Sequence, residues 1–209
     1  MMGNSIFIYG ILPRSGTNFL NHMVLLHADC VQSSLKVREN YFLHHSDSLW
    51  QYAEQLFQTW SNPKWKGEAF SQQTFFAKIG EALLTYLTDQ SLDISTKILV
   101  SKTPSVQHLD RCFDLFPHSK IILIVRDARD IAASTFKTWG TPIPKTLDKW
   151  NIACQMIAQF ERGASAERYL LLRYEDLMDE REVWMQKCLN FLGLDGTKFL
   201  WNELNALPI

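Results

Sequence analysis

Four short runs of uninterrupted apolar residues constrain this chain more than any other feature: Ile6–Tyr9, Ile98–Val100, Ile121–Val125 and Tyr169–Leu172. None alternates apolar with polar, so a strand made from any of them needs cover on both faces, as in a parallel sheet packed between helices. The intervening segments carry the helical period. Leu49, Ala53, Leu56, Phe57 and Trp60 recur at three- and four-residue steps, with Ser46 or Asp47 as N-cap. Phe75, Phe76, Ile79, Leu83, Leu84 and Leu87 do the same after Ser71. Two further helices are predicted, from about Leu147 to Phe160 ending near Gly163, and from Asp179 to Leu192 with Gly193 as its stop. Alternating strand and helix predict a doubly wound α/β domain, whose ligands bind at the carboxyl ends of the strands.

Composition narrows the function classes. With 46% of its 209 residues apolar, the chain builds a sizeable core and is not disordered. At about 150 residues per domain, residues 1–209 read as a single domain. The 21 basic and 22 acidic side chains give a net charge of -1, which excludes nucleic-acid binding through an overall basic field but not a local anion site. Cys30, Cys112, Cys154 and Cys188 are too scattered for a zinc site or a redox pair and read as buried thiols of a reducing compartment. No apolar run approaches the ~18 residues of a membrane span, and Met1–Ser5 has no charged region, apolar stretch or cleavage site. A cytoplasmic protein without a membrane segment is the expectation, although a chain trimmed of an anchor reads the same. Oligomeric state is not encoded in any of these features.

The first strand leads into Gly10-Ile11-Leu12-Pro13-Arg14-Ser15-Gly16-Thr17-Asn18 and then into an apolar-periodic helix beginning at Phe19. A glycine- and hydroxyl-bearing loop at a helix N-terminus is an anion cradle: backbone N–H groups and the positive end of the helix dipole converge on one point. Arg14, Ser15, Thr17 and Asn18 add side-chain donors, so the ligand group is phosphate-like. A nucleoside-triphosphate loop would read GxxxxGK[ST]. Here five residues separate Gly10 from Gly16, Thr17 stands where the lysine belongs, and the cation is Arg14. A P-loop-type kinase or hydrolase is therefore the alternative reading.

The run Ile121–Val125 ends in Arg126-Asp127-Ala128-Arg129-Asp130-Ile131-Ala132-Ala133-Ser134. Two arginines and two aspartates opening a helix after a buried strand are not core. Asp127 or Asp130 caps the helix, and Arg126 is also placed to pair with Asp130. Arg126 and Ser134 are separated by about two helical turns, roughly 12 Å of rise, so an anion held by both needs the strand end and the helix to fold around it.

The Pro-Arg-Ser-Gly-Thr loop, the strand-Arg-Asp-x-Arg-Asp-x-x-x-Ser segment and Leu172-Arg173-Tyr174-Glu175-Asp176-Leu177 occur in order along the chain. Together they resemble the sulfotransferases that use 3′-phosphoadenosine 5′-phosphosulfate (PAPS), from about Ile6 to Leu194. The resemblance implies a three-layer, P-loop-like α/β domain with a central parallel sheet of about 4–5 strands and helices on both faces. It further implies transfer of a sulfuryl group from PAPS to a hydroxyl-bearing acceptor, with adenosine 3′,5′-bisphosphate (PAP) as product. The loop Arg14, Ser15, Gly16, Thr17 and Asn18 would bind the 5′-phosphosulfate, Arg14 lying near the bridging oxygen. Arg126 and Ser134 would hold the 3′-phosphate and Tyr174 would contact the adenine. Glu175 and Asp176 would fix the loop and cap the next helix. Backbone amides and a fixed guanidinium at the leaving oxygen suit such an in-line transfer, as in phosphoryl transfer. No cluster of metal-ligand residues stands in the sequence, so no metal is expected.

Lys102-Thr103-Pro104 follows the third run. Cytosolic sulfotransferases carry Lys-Thr-His there, with the histidine as general base. Here Pro104 removes that base, while Lys102 still matches the lysine near the sulfuryl oxygens. His108, expected in the first turn of a helix, is one replacement. Glu39, in Lys36-Val37-Arg38-Glu39-Asn40-Tyr41-Phe42, is the other, because tyrosylprotein and glycan sulfotransferases carry a catalytic glutamate in a similar place. Glu39 is the expected base.

Many members also have a basic Arg-Lys-Gly loop near the C-terminus, whereas this sequence ends at Leu207-Pro208-Ile209. Either the protein is a short form or the sequence is truncated at the edge of the site. In the first case it could be a module that binds a nucleotide without transferring sulfate. Lys64 and Lys66, flanking Trp65, are candidates to substitute for the loop or to bind an acidic acceptor. Trp50, Trp60, Trp65, Phe70, Phe75 and Phe76 read as an apolar acceptor wall or a helical cap.

Overall fold

Each of the four apolar runs forms a strand. The computed structural model describes residues 5–35, 37–61, 71–88 and 96–208. The strands are β1 (Ile6–Gly10), β3 (Ile98–Thr103), β4 (Lys120–Val125) and β5 (Tyr169–Arg173), joined by a two-residue β2 (Cys30–Val31) that carries no readable period. The sheet order is β2-β3-β1-β4-β5 and every pairing is parallel.

Successive side chains of a strand leave on opposite faces, and the two faces feed two cores. Phe7, Tyr9, Ile121 and Leu123 enter one core with α2 (Asp47–Trp60), α3 (Gln72–Thr88), α4 (Cys112–Leu115), α5 (Ala128–Trp139) and α6 (Ile143–Gly163). Ile6, Ile8, Ile122, Ile124 and Leu172 enter the other with α1 (Thr17–Val24), α7 (Tyr174–Asp179), α8 (Arg181–Leu192) and α9 (Trp201–Leu204). Helices therefore cover both faces of a five-stranded parallel sheet, which is the predicted architecture.

One helix boundary differs from expectation. The helix predicted from Leu147 starts at Ile143, because Pro144 in its first turn needs no hydrogen-bonded N–H there. The helix predicted from Asp179 is α8, which starts at Arg181 after Glu180 (φ -133°, ψ 58°) and stops at the left-handed Gly193, and α7 precedes it without a prediction. The aromatic residues read as an acceptor wall or a helical cap pack with one another across α2 and α3. Trp50 stacks on Phe76 at 4.0 Å, and Phe57 meets Trp60 and Phe75, each at 5.5 Å. Lys64, Trp65, Lys66 and Phe70 lie outside the described residues. Among the described residues no helix is long and apolar enough to cross a membrane.

Candidate functional site

Because all five strands run the same way, their carboxyl ends share one edge of the sheet, and the singled-out loops emerge there. Beyond β1 the ladder continues for one bond, Ile11 N–H to the Ile124 carbonyl at 3.0 Å. The chain then turns through Arg14 (φ 75°) and Gly16 (φ 99°), both left-handed, into α1. Two glycines make this turn possible. A Cβ on Gly10 would sit 2.2 Å from Ser15 Oγ, and one on Gly16 would sit 2.4 Å from the Tyr174 ring. Ser15 is fully buried and its hydroxyl has no hydrogen-bond partner.

The second loop reaches the first directly. Arg14 Nε donates to Ser134 Oγ at 2.8 Å, and Arg126 Nη1 donates to the Arg14 carbonyl at 3.1 Å. The Arg126 guanidinium lies over the Tyr174 ring at 4.3 Å and pairs loosely with Asp130 at 3.7 Å. Its Nε is buried without a partner. The two turns of helix between Arg126 and Ser134 are thus bridged by Arg14. Asp127 caps α5, accepting from Arg129 N–H at 2.8 Å. Hydrogen bonds from the Arg129 side chain and backbone hold its carboxyl well below the usual carboxylate range. Glu175 fixes the loop as expected, accepting the Asp127 N–H at 2.8 Å. Arg14, Ser15, Gly16, Arg126, Ser134 and Tyr174 are therefore one contiguous cluster, with Thr17 and Asn18 opening α1 beside it.

An anion of phosphate type fits this cluster. Two buried donors, Ser15 Oγ and Arg126 Nε, lack partners that such a group would supply, and no Cβ obstructs the loop at Gly10 or Gly16.

A further group gathers at the end of β3. Lys102, 8% exposed, donates to Glu39 Oε1 at 3.1 Å, and the Tyr41 hydroxyl donates to Glu39 Oε2 at 2.8 Å. The segment is fastened to β3 and the residues beyond it by Asn40 Nδ2 to Ser101 Oγ at 2.6 Å, Tyr41 N–H to Thr103 Oγ1 at 3.3 Å and a His44 Nδ1–Ser105 Oγ bond of 2.9 Å. His108 stands apart from this group. It precedes a short 3₁₀ turn, not the first turn of an α-helix, and its Nε2 bonds Asp47 at 3.1 Å beside Arg111. Of the two candidate bases, only Glu39 joins Lys102.

Between the two groups opens a cleft of about 600 Å³. Pro13 and Thr135 line it, so it begins next to the Arg14–Ser134 hydrogen bond. Its walls are largely apolar, with Trp139 and Ile152 both more than half exposed at its rim. Tyr41, His44, Thr146 and Lys149 supply polar groups. Sequence reasoning missed these residues. The only trace is the spacing of Thr146, Lys149, Ala153 and Met156, one face of α6, whose mixed polarity hides it.

The model of a family described as Sulfotransferase family matches residues 5–198. A protein-tyrosine sulfotransferase of Drosophila melanogaster is 26% identical over 215 residues, covering 95% of this chain and 38% of the relative. The chain thus spans well under half the length of the curated relatives it matches. Among solved structures, the sulfotransferase domain of the Synechococcus PCC 7002 olefin synthase matches with a TM-score of 0.61 and 22% identity, over 92% of this chain and 74% of that one. A mouse sulfotransferase complexed with PAP matches with a TM-score of 0.51 and 16% identity, over 97% and 62%. Both likenesses are of fold.

Proposed function

The chain belongs to the sulfotransferase family, and from that premise we propose that it acts as a single domain transferring the sulfuryl group of PAPS to a hydroxyl acceptor by in-line displacement. The observation that carries this reading is the junction of two strand-end loops through Arg14, with a buried, unpartnered donor in each, Ser15 Oγ and Arg126 Nε. In this reading the Arg14–Asn18 loop takes the 5′-phosphosulfate, Arg126 and Ser134 the 3′-phosphate, and Tyr174 the adenine.

When bound, PAPS supplies an activated sulfuryl group whose departure leaves charge on the 5′-phosphate. Arg14 and the amides opening α1 neutralise that charge at fixed positions, at no cost of reorganisation. Lys102 would hold the sulfuryl oxygens of bound PAPS, and Glu39 would be the final acceptor of the hydroxyl proton. The largely apolar cleft supports an acceptor whose hydroxyl sits on an apolar or aromatic body, and the relative named protein-tyrosine sulfotransferase brings a tyrosine side chain into that class. Four free cysteines support a reducing compartment, and we place the protein in the cytoplasm.

Calorimetry tests the donor. PAP is expected to bind at micromolar concentration, and ATP with magnesium is not. Binding of ATP–magnesium in place of PAP would overturn the reading. Transfer from ³⁵S-labelled PAPS to a panel of phenols, alkanols and tyrosine peptides then identifies the acceptor.

A further inference from the structure

The Glu39–Lys102 pair and the cleft meet at one side chain. Tyr41 lines the cleft, whereas Glu39 and Lys102 are absent from its walls. Both carboxylate oxygens of Glu39 are already engaged, Oε1 by the Lys102 ammonium at 3.1 Å and Oε2 by the Tyr41 hydroxyl at 2.8 Å. An acceptor in the cleft therefore meets Tyr41, whose hydroxyl is hydrogen-bonded to the carboxylate.

The backbone is bent to keep it so. Tyr41 holds φ 51°, a left-handed conformation that bulky residues rarely adopt. The bonds from its N–H to Thr103 and from Asn40 to Ser101 hold the segment on β3, and Asn40 Oδ1 accepts the Phe42 N–H at 2.9 Å. Strain of this kind persists only where the surroundings over-determine it, as they do at functional sites.

We propose that Tyr41 is a catalytic residue that relays the acceptor's proton: its oxygen receives the proton from the acceptor hydroxyl as its own phenolic proton passes to Glu39 Oε2. This rests on the sulfotransfer reading above. The acceptor oxygen forms its bond to sulfur while the bond from sulfur to the bridging oxygen breaks, and that electron pair stays on the departing phosphate. Tyr41 is neutral before and after. Glu39 ends protonated and returns its proton to water through a side chain that is 28% exposed.

A relay is favoured over a tyrosinate base on physical grounds. Burial first, then the hydrogen bond to Glu39, push the Tyr41 phenol up to about 12, so its ionised form is scarce near neutrality. His44 is the competing proton acceptor in the cleft, since burial and neighbouring histidines lower its pKa and keep it neutral.

The test compares wild type with Tyr41→Phe, Glu39→Gln, the double variant and His44→Gln, using the acceptor that turns over fastest in the panel. Tyr41→Phe is expected to lower kcat about 100-fold, within the range of general acid–base effects, with PAP affinity by calorimetry unchanged. The double variant should be no worse than its poorer parent, and His44→Gln should lose less activity than Tyr41→Phe. A donor-free readout accompanies these: by NMR of ring-labelled tyrosine, Tyr41 should ionise at lower pH in Glu39→Gln than in wild type. Tyr41→Phe within threefold of wild type, losses that multiply in the double variant, a collapse confined to His44→Gln, or an unchanged titration would each overturn the relay. A wild type that transfers sulfate to nothing overturns the sulfotransfer reading and the relay with it, so the two failures are distinguishable.

Discussion

Gly16 admits no other residue. Its φ of 99° is strained for any side chain, and the Cβ of Gly16→Ala would meet the Tyr174 ring at 2.4 Å. Strain and overpacking together should cost about 2–4 kcal/mol, or roughly 5–15 °C in Tm for a domain of this size, with PAP binding impaired in parallel. Calorimetric scans of the variant check this, and an unchanged Tm contradicts it. Arg126 admits no lysine, for a different reason. Its guanidinium reaches the Arg14 carbonyl, stacks on Tyr174 and carries a further buried donor at Nε, which one ammonium cannot reproduce. Arg126→Lys should weaken PAP about 10–100-fold, the worth of one charge-assisted hydrogen bond of about 1.5–3 kcal/mol, with the fold intact by circular dichroism. That Arg14, Arg126, Ser134 and Tyr174 gather was legible because three of them follow a strand in a motif and Ser134 closes the motif that Arg126 opens, within α5. Tyr41, Thr146 and Lys149 were not, because what matters about them is proximity across the chain: Tyr41 meets Thr103, 62 positions away.

The elements were legible where burial dictates their composition. A strand covered on both faces must be apolar throughout, so β1, β3, β4 and β5 declare themselves. The two residues of β2 and the six of α7 hold too little pattern to be seen. Gly80, within α3, is an informative exception to helix propensity. Alanine at an exposed helical position gains up to about 1 kcal/mol over glycine. Here its Cβ would lie 1.8 Å from the Leu115 carbonyl oxygen of α4, so backbone must move. Gly80→Ala is therefore expected to lower stability by about 1–2 kcal/mol net, read as a fall in the urea midpoint. A rise in that midpoint would show that α3 and α4 separate freely.

Across the whole molecule, cysteine burial sets an alkaline limit. Burial pushes Cys30, Cys112 and Cys188 up to about 12. In the unfolded chain a thiol ionises near pH ~8.5. Between those values the folded state binds more protons than the unfolded one, so stability falls as pH rises through the window and is unaffected by these groups below it. The urea midpoint should therefore drop between pH 8 and pH 10. Iodoacetamide at pH 8 should label the half-buried Cys154 first and the other three only on unfolding, and early labelling of Cys112 would contradict the packing of that core.

The common direction of the five strands also sets their amino ends opposite the candidate site. The turn at Ser165, Ala166 and Glu167 is exposed and enters β5 from its amino side. A strand of this length sets that turn about 17 Å from the edge where Arg14 and Arg126 meet. A fluorophore or surface tether attached through Ala166→Cys should consequently report on the protein, or immobilise it, without obstructing what enters the opposite rim.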